Sequence, residues 1–271
     1  MKPRPFDYAR PDTVDEALAL LAEHGDDSRV LAGGQTLIAM LNLRVAEPAL
    51  LIDVTRITEL AGITERDGKV EVGAAMTQNQ LLNWPQLRQK LPLLFAALPW
   101  VGHFQTRNKG TVCGSIAHAD PTSELPLSLA LLQGEVVLRS SRGTRVLPAH
   151  EFQQGMLTTA RAPDELITAV RFPVTTGGSA FREVARRHGD FAIVGVGALI
   201  ENGGSIRLGV AGMTDRPMVR RIDAGAIDAT VDQLAWELEG YEDVHASAHM
   251  RRDLLRRLAP VVIEEARACV A

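Results

Sequence analysis

The sequence predicts an α/β fold, followed by a smaller α+β unit. Three observations support this prediction. Strand and helix patterns alternate over residues 1–60, and short strands with apolar helices follow over residues 61–176. A small, polar, glycine-paired segment at residues 175–179 then precedes three strand patterns and two helical ones. We therefore expect one domain at residues 1–176 and a second at residues 177–271.

The first 60 residues are predicted to form a small parallel α/β lobe. A strand pattern at residues 29–32 ends at Gly33 and Gly34, a helix pattern follows, and residues 50–54 form a buried strand pattern. In such a strand–helix–strand unit the two strands run parallel, and ligands usually bind at their carboxyl ends. The glycine pair therefore lies where a ligand is expected.

The second lobe is predicted from alternating apolar residues and turn residues. A strand pattern at residues 69–74 follows an Asp67-Gly68 turn, and the apolar residues 91–104 are predicted to be helical, with breaks at two prolines. Further strands are predicted at residues 135–140, 144–147 and 165–172.

For the C-terminal unit we expect a three-stranded antiparallel sheet with helices. The predicted strands are residues 180–185, 191–200 and 205–212, with a hairpin turn at residues 202–204. The predicted helices are residues 228–239 and residue 246 to the C-terminus.

The stretch of residues 111–124 indicates a ligand-binding surface. Its small residues Cys113, Gly114 and Ser115 would let another group lie close to the backbone. Asp120 followed by Pro121 predicts a helix that begins there, with free N–H groups suited to a phosphate. Because residues 31–36 have a similar design, the two surfaces could hold one extended ligand between them.

Composition excludes several classes of function. A net charge of −4 argues against general binding of nucleic acid or anionic membranes. Two cysteines cannot form an iron–sulfur cluster, a cysteine-rich zinc site or a disulfide framework. No apolar run reaches signal-peptide or membrane-spanning length, so we expect a cytoplasmic protein.

Individual reactive residues are better explained structurally than catalytically. Cys113, with His118 nearby, suggests a nucleophile, but its small neighbours favour close packing. Asp120 is interpreted as a helix cap rather than a catalytic base. His118 and Asp120 lack a third partner at a spacing typical of metal sites. We therefore predict neither a catalytic residue nor a metal ligand in this chain.

Residues 32–37 and 111–121 together resemble the two FAD-binding signatures of one family, the flavoprotein (medium) subunits of molybdenum hydroxylases. This family includes carbon monoxide dehydrogenase, xanthine dehydrogenase and N-heterocycle dehydrogenases. Residues 6–8 and 181–192 extend the resemblance. It implies a two-lobed FAD-binding domain of the vanillyl-alcohol-oxidase-like (PCMH) type, followed by a C-terminal domain like that of carbon monoxide dehydrogenase flavoproteins.

The resemblance also implies the cofactor contacts. Backbone amides of residues 33–36 should bind the FAD diphosphate, and residues 111–115 should bind its other side and the ribityl chain. Glu124 matches a carboxylate that contacts the cofactor, and Ile167 and Val101 match its neighbours. The implied cofactor-binding residues are Val30, Leu31, Ala32, Gly33, Gly34, Gln35, Thr36, Leu37, Val101, Thr111, Val112, Cys113, Gly114, Ser115, Asp120, Glu124, Ile167 and Arg182.

The sequence departs from the family pattern in three places. Cys113-Gly114-Ser115 replaces a Gly-Gly-Asn found in many relatives, which removes an amide side chain that could bind the cofactor. Arg182 stands where some relatives have lysine, so the positive charge is kept with a different geometry. The cluster-binding cysteines of the benzoyl-CoA reductase branch are absent, which disfavours that branch.

By resemblance, this chain is the FAD subunit of a heterotrimeric, doubled molybdenum hydroxylase. A small subunit with two [2Fe–2S] clusters would pass electrons to FAD, and a large molybdopterin subunit would hydroxylate the substrate. An external acceptor, such as NAD, oxygen or another carrier, would then oxidise the flavin. Two other hypotheses stay open: a self-contained FAD-dependent oxidase or reductase with its own substrate site, and a non-enzymatic nucleotide-binding module.

Overall fold

A computed structural model describes residues 1–201 and 203–269. Its first part is a three-stranded parallel sheet in the order β1-β3-β2, which confirms the predicted strand–helix–strand unit. The first helix ends at His24 with Gly25 as its C-cap, and its sequence indicates this end. The elements are β1 (Asp7–Ala9), α1 (Val14–His24), β2 (Ser28–Leu31), α2 (Leu37–Leu43) and β3 (Leu50–Asp53).

The second part is built on a five-stranded antiparallel sheet in the order β4-β5-β10-β6-β7. Strand β4 was not predicted from the sequence, because three of its four residues are exposed and polar. The strands are β4 (Ile63–Arg66), β5 (Lys69–Gly73), β6 (Glu135–Ser140), β7 (Gly143–Pro148) and β10 (Leu166–Pro173), and a separate pair is β8 (Gln153–Gly155) with β9 (Thr158–Thr159). The helices are α3 (Gln78–Leu82), α4 (Leu87–Lys90), α5 (Pro92–Ala97), α6 (Phe104–Lys109), α7 (Val112–His118), α8 (Glu124–Leu131) and α9 (Ala149–Phe152).

The C-terminal sheet has four antiparallel strands, so the prediction of three strands was wrong. The missed edge strand, β14, carries two exposed arginines. In the sequence, this charged pair indicates a solvent-exposed face and hides the strand pattern. Charged residues of this kind protect a sheet edge from pairing with another chain. The elements are β11 (Ser179–Val184), β12 (Val194–Ile200), β13 (Ile206–Ala211), β14 (Met218–Ile222), α10 (Ile227–Glu237) and α11 (Ala248–Ala268). The predicted turn at residues 202–204 includes Asn202, and the predicted last helix includes residues 270–271; these three residues lie outside the described ones.

The C-terminal sheet is covered on both faces. Phe181, Leu199 and Ala211 join the apolar core of residues 1–176, where α5 and α8 pack against the sheet. Ala180, Val196 and their neighbours join a second core with α10 and α11. Consecutive residues of a strand point to opposite faces, so neighbouring positions on β11 contact different parts of the protein. The domain division at residue 176 stays a prediction.

Within residues 1–201 and 203–269, no helix combines the length and the apolar character needed to cross a membrane.

Candidate functional site

The first glycine turn joins β2 to α2 and is called the 33–37 turn. Gly34 has a φ of 69°, a conformation that favours glycine. The Gln35 side-chain amide donates to the Gly33 carbonyl oxygen at 3.2 Å. Within the described part of the chain, the backbone N–H groups of residues 33–37 have no acceptor, although the segment is mostly half-buried. A row of unpaired N–H groups in such a turn is an anion-binding feature.

The second turn, called the 111–115 turn, opens helix α7, with Thr111 as the N-cap. The Thr111 hydroxyl oxygen accepts from the Gly114 N–H at 3.0 Å, and the Val112 N–H donates to the Met76 carbonyl oxygen at 3.1 Å. The Ser115 N–H donates to the Thr111 carbonyl oxygen at 3.2 Å, as expected inside a helix. Most donors of this turn are therefore already used by the chain itself.

Gly33 lies against the two residues that precede the 111–115 turn. A Cβ atom placed on Gly33 would lie 2.6 Å from the Gly110 Cα, and closer still to the Lys109 carbonyl oxygen. Lys109 and Gly110 come directly before Thr111. No side chain fits between the two backbones, so glycine at position 33 is a steric requirement. Sequence reasoning missed the contacts of Lys109 and Gly110, because nothing local in the sequence shows which residues face Gly33.

Cys113 points into the core instead of toward the turn surface. It is 3% exposed, and its thiol donates to the Val72 carbonyl oxygen at 3.6 Å. Burial raises the pKa of this thiol well above its ordinary value, so the reactive thiolate is disfavoured. The structure therefore favours the close-packing interpretation of Cys113 over the nucleophile.

The prediction that Asp120 caps a helix beginning at Pro121 was wrong. The Asp120 carboxylate instead accepts from the Thr122 N–H at 2.8 Å and from the Thr122 hydroxyl at 2.6 Å, which forms a local turn. Helix α8 begins at Glu124 with Ser123 as its N-cap. Both arrangements use the same short polar sequence, since aspartate can close a turn as readily as it can cap a helix.

Glu124 is the first residue of α8 and is almost completely enclosed, with 6% of its surface exposed. Burial raises the pKa of its carboxyl group to about 7, and the negative charge of Asp120 adds to the rise.

Val101 and Ile167 are 7% and 6% exposed and present apolar surface. The Val101 carbonyl oxygen accepts from the Arg107 guanidinium at 2.9 Å, which fixes the loop before α6.

Arg182 has a partner within the chain. Its Nε donates to both carboxylate oxygens of Glu265 on α11, at 2.8 and 2.9 Å. The next residue, Glu183, is buried, whereas Arg182 is exposed. Glu183 shares a strand face with Phe181, which belongs to the core of residues 1–176. In the sequence, the burial of Glu183 is indicated only by its position two residues after the apolar Phe181. Contact of Arg182 with a cofactor stays a prediction.

Comparisons with known proteins identify the family of this chain. Residues 4–175 match the family model described as the FAD binding domain in molybdopterin dehydrogenase. The chain belongs to this family. Like the FAD-binding medium subunits of this family, the chain carries FAD. It is a subunit of an oxidoreductase.

Three relatives illustrate the range of the family. The chain is 42% identical to the 6-hydroxypseudooxynicotine dehydrogenase complex subunit alpha of Paenarthrobacter nicotinovorans over 74% of this chain and 68% of that protein. It is 31% identical to the glyceraldehyde dehydrogenase medium chain of Sulfolobus acidocaldarius, over 98% of this chain and 99% of the other. A chain in a structure of carbon monoxide dehydrogenase from Hydrogenophaga pseudoflava superposes with a TM-score of 0.94, at 31% identity and 100% coverage of both chains. The likeness to that chain supports the predicted two-lobed FAD-binding fold.

Proposed function

We propose that this chain is the electron-transfer subunit of a molybdenum hydroxylase and holds FAD between the 33–37 and 111–115 turns. The observation that supports this most directly is that the N–H groups of residues 33–37 have no acceptor among the residues that the structure describes, next to the contact of Gly33 with Gly110. Backbone N–H groups in a half-buried turn normally bond to the protein, to water or to a ligand. A diphosphate would supply acceptors to donors of this kind, so the residues present fit the cofactor.

In this proposal the two turns contribute differently. The amides of residues 33–36 donate to the diphosphate oxygens, and the absence of a side chain at Gly33 keeps the 109–110 backbone close. The 111–115 turn supplies a close backbone surface with the half-buried Ser115 hydroxyl beside it. Bound FAD accepts and releases electrons; the chain binds it, orients it and shields it. Val30, Leu31, Ala32, Leu37, Val101, Asp120, Glu124 and Ile167 complete the proposed site.

The partners follow from the family. Relatives named as medium chains, such as the carbon monoxide dehydrogenase medium chain of Hydrogenophaga pseudoflava, support small and large partner subunits. We propose that the small one holds [2Fe–2S] clusters and passes electrons to FAD, and that the large one holds the molybdopterin cofactor and hydroxylates the substrate. The assembly is a dimer of heterotrimers in the cytoplasm, and an external acceptor oxidises the flavin.

The substrate class is proposed from the same relatives. Names in the family refer to nicotine-derived compounds, caffeine, glyceraldehyde and carbon monoxide. We propose an N-heterocycle, an aldehyde or carbon monoxide, bound on the large subunit. The described residues of this chain contain no cluster of three or more side chains that could hold a metal ion.

A glycine substitution tests the proposal. Gly33→Ala forces a Cβ into the 109–110 backbone, whereas Gly62→Ala adds the same methyl group where nothing lies within 4 Å. Both variants are purified with their partner subunits, and the ratio of flavin absorbance to protein is measured alongside circular dichroism. We expect Gly33→Ala to lose most of the flavin and Gly62→Ala to keep it. A folded Gly33→Ala protein with the wild-type flavin ratio contradicts the proposal.

A further inference from the structure

Helix α6 leads from the segment of residues 99–103, called the 99–103 segment, to the backbone that packs against Gly33. Its last residue, Lys109, and the following Gly110 are the backbone neighbours of Gly33. The helix has six residues, and none of them is buried. A helix this short is not stable by itself in water, so the position of α6 depends on the contacts that tie it to the rest of the chain.

Arg107 of α6 makes such a contact. Its Nη1 atom donates to three backbone carbonyl oxygens of the 99–103 segment, those of Val101 and Gly102 at 2.9 Å and that of Pro99 at 3.3 Å. Hydrogen bonds from a charged donor are shorter and stronger than those between neutral groups. The guanidinium therefore holds α6 and the preceding segment together.

The 99–103 segment is anchored in the core, whereas α6 is not. Leu98, directly before the segment, is completely enclosed, and Val101 within it is 7% exposed. Both residues belong to the main apolar core. Arg107 thus links a helix without buried residues to a segment with buried ones, so the core fixes the helix through this side chain.

The other end of α6 transmits its position to the glycine turn. The Gly110 N–H donates to the Thr106 carbonyl oxygen at 2.7 Å, and the Gly110 carbonyl oxygen accepts from the Gln78 N–H at 2.8 Å. The 109–110 backbone leaves no space for a side chain at Gly33. A displacement of α6 would therefore either press on the turn that contains Gly33 or open a gap beside it.

We propose that Arg107 is a positioning residue for the FAD site. It ties α6 to the 99–103 segment and so keeps the 109–110 backbone against Gly33. This contact holds the 33–37 turn in the shape that binds the diphosphate, and Arg107 itself does not touch the cofactor. The inference rests on the proposed function, because that function gives the 33–37 turn its role.

Arg161 offers a matched control. Its Nη1 atom also donates to three backbone carbonyl oxygens, those of Ala162 at 2.9 Å, Pro163 at 3.3 Å and Glu165 at 2.7 Å. These bonds close a local loop and involve no residue of either turn. Like Arg107, Arg161 is half-buried. Substitution by methionine keeps an apolar stem at either position and removes every donor.

The experiment compares Arg107→Met, Arg107→Lys and Arg161→Met as full chains in complex with their partner subunits. The FAD-free complexes are titrated with FAD, and the visible circular dichroism of the bound flavin and the Tm are recorded. We expect Arg107→Met to raise the FAD dissociation constant by at least about tenfold and to change the flavin dichroism. Arg161→Met should lower the Tm by several degrees, as Arg107→Met does, and leave both flavin readouts unchanged. Arg107→Lys keeps a cationic donor and should restore most of the affinity.

Three results would overturn the inference. The first is wild-type FAD affinity and flavin dichroism in Arg107→Met, and the second is an equal loss of affinity in Arg161→Met. The third is Arg107→Lys with the wild-type Tm and weak FAD binding, which would make the guanidinium a direct ligand of the cofactor. Flavin loss in Gly33→Ala but not in Arg107→Met overturns only this inference. Flavin loss in Arg107→Met but not in Gly33→Ala contradicts the proposed function.

A measurement on the wild type decides the matter if Arg107→Met does not fold. If the position of α6 supports FAD binding, FAD must in turn stabilise α6, because coupling between two sites is reciprocal. We therefore expect FAD to slow hydrogen exchange at the Arg107 and Gly110 amides, which donate to carbonyl oxygens within and at the start of this helix. Exchange at residues 162–165 should not change. Unchanged exchange in α6 on FAD binding would overturn the inference.

Discussion

The 33–37 turn and the 111–115 turn have similar compositions but different backbone bonding. Each combines glycine with small residues and leads into a short helix. In the first, five consecutive N–H groups have no acceptor within the described residues. In the second, the Met76 carbonyl oxygen and the Thr111 hydroxyl oxygen already accept from Val112 and Gly114. Glycine content therefore indicates where a ligand can approach the backbone, whereas the number of unbonded N–H groups indicates what is left to bind that ligand.

The difference arises from what precedes each turn. Strand β2 ends at Leu31, and the chain then leaves the sheet, so no neighbouring strand supplies acceptors to the 33–37 turn. Thr111 instead forms a bridge with Thr77, and the Gln78 N–H donates to the Gly110 carbonyl oxygen at 2.8 Å. The second turn is therefore fixed by the chain before any ligand binds.

The largest effect is expected from removing one donor of the 33–37 turn. Thr36→Pro deletes the Thr36 N–H. The φ of Thr36 is −90°, which is close to the range that proline adopts, and the control Thr36→Ala keeps the N–H. Losing one hydrogen bond to a charged diphosphate costs about 1.5–3 kcal/mol, so FAD affinity should fall by about tenfold to about a hundredfold. Titration of the FAD-free protein measures this. Equal affinities for the two variants would show that this amide does not bind FAD.

A smaller effect, on stability instead of binding, is expected at the 111–115 turn. Thr111→Val removes the hydroxyl that accepts from Gly114 and keeps the shape of the side chain. Loss of such a cap lowers the free energy of unfolding by about 1 kcal/mol. Thr111→Ser keeps a hydroxyl group and should retain most of the stability. Denaturant unfolding of the two variants checks the cost. A large loss of FAD affinity without loss of stability would assign Thr111 to the cofactor instead of the helix.

The smallest effect concerns Cys113. Its enclosed thiol should react with a thiol reagent far more slowly than Cys269, which is exposed, because burial disfavours the thiolate. Mass spectrometry of the two cysteine-containing peptides after brief labelling measures the difference, and labelling in denaturant is the control. Rapid modification of Cys113 in the folded protein would place the thiol at the surface of the turn, contrary to the structure.

The sequence predicted most elements whose residues carry strong patterns. The β2–α2–β3 unit followed from apolar runs separated by a glycine pair, and it is present with the expected parallel pairing. Strand β14 was missed because its exposed arginines hide its alternation. The start of α8 was misplaced because Asp120 can close a turn or cap a helix, and only the surrounding structure selects between them.

The candidate site was only partly accessible to sequence reasoning. The two turns have local signatures, but the contact of Gly33 with residues 109–110 depends on how the two lobes pack. The burial of Glu183 on β11 depends on how this strand packs against the core of residues 1–176, and nothing local in the sequence shows that packing.

Amide hydrogen exchange with and without FAD tests the central claim most directly, since it reports on the backbone donors themselves. We predict that FAD strongly slows exchange at residues 33–37 and changes it little at Val112 and Gly114, which are already bonded within the chain. If FAD binds while exchange at residues 33–37 is unchanged, these amides do not hold the cofactor, and the account is contradicted.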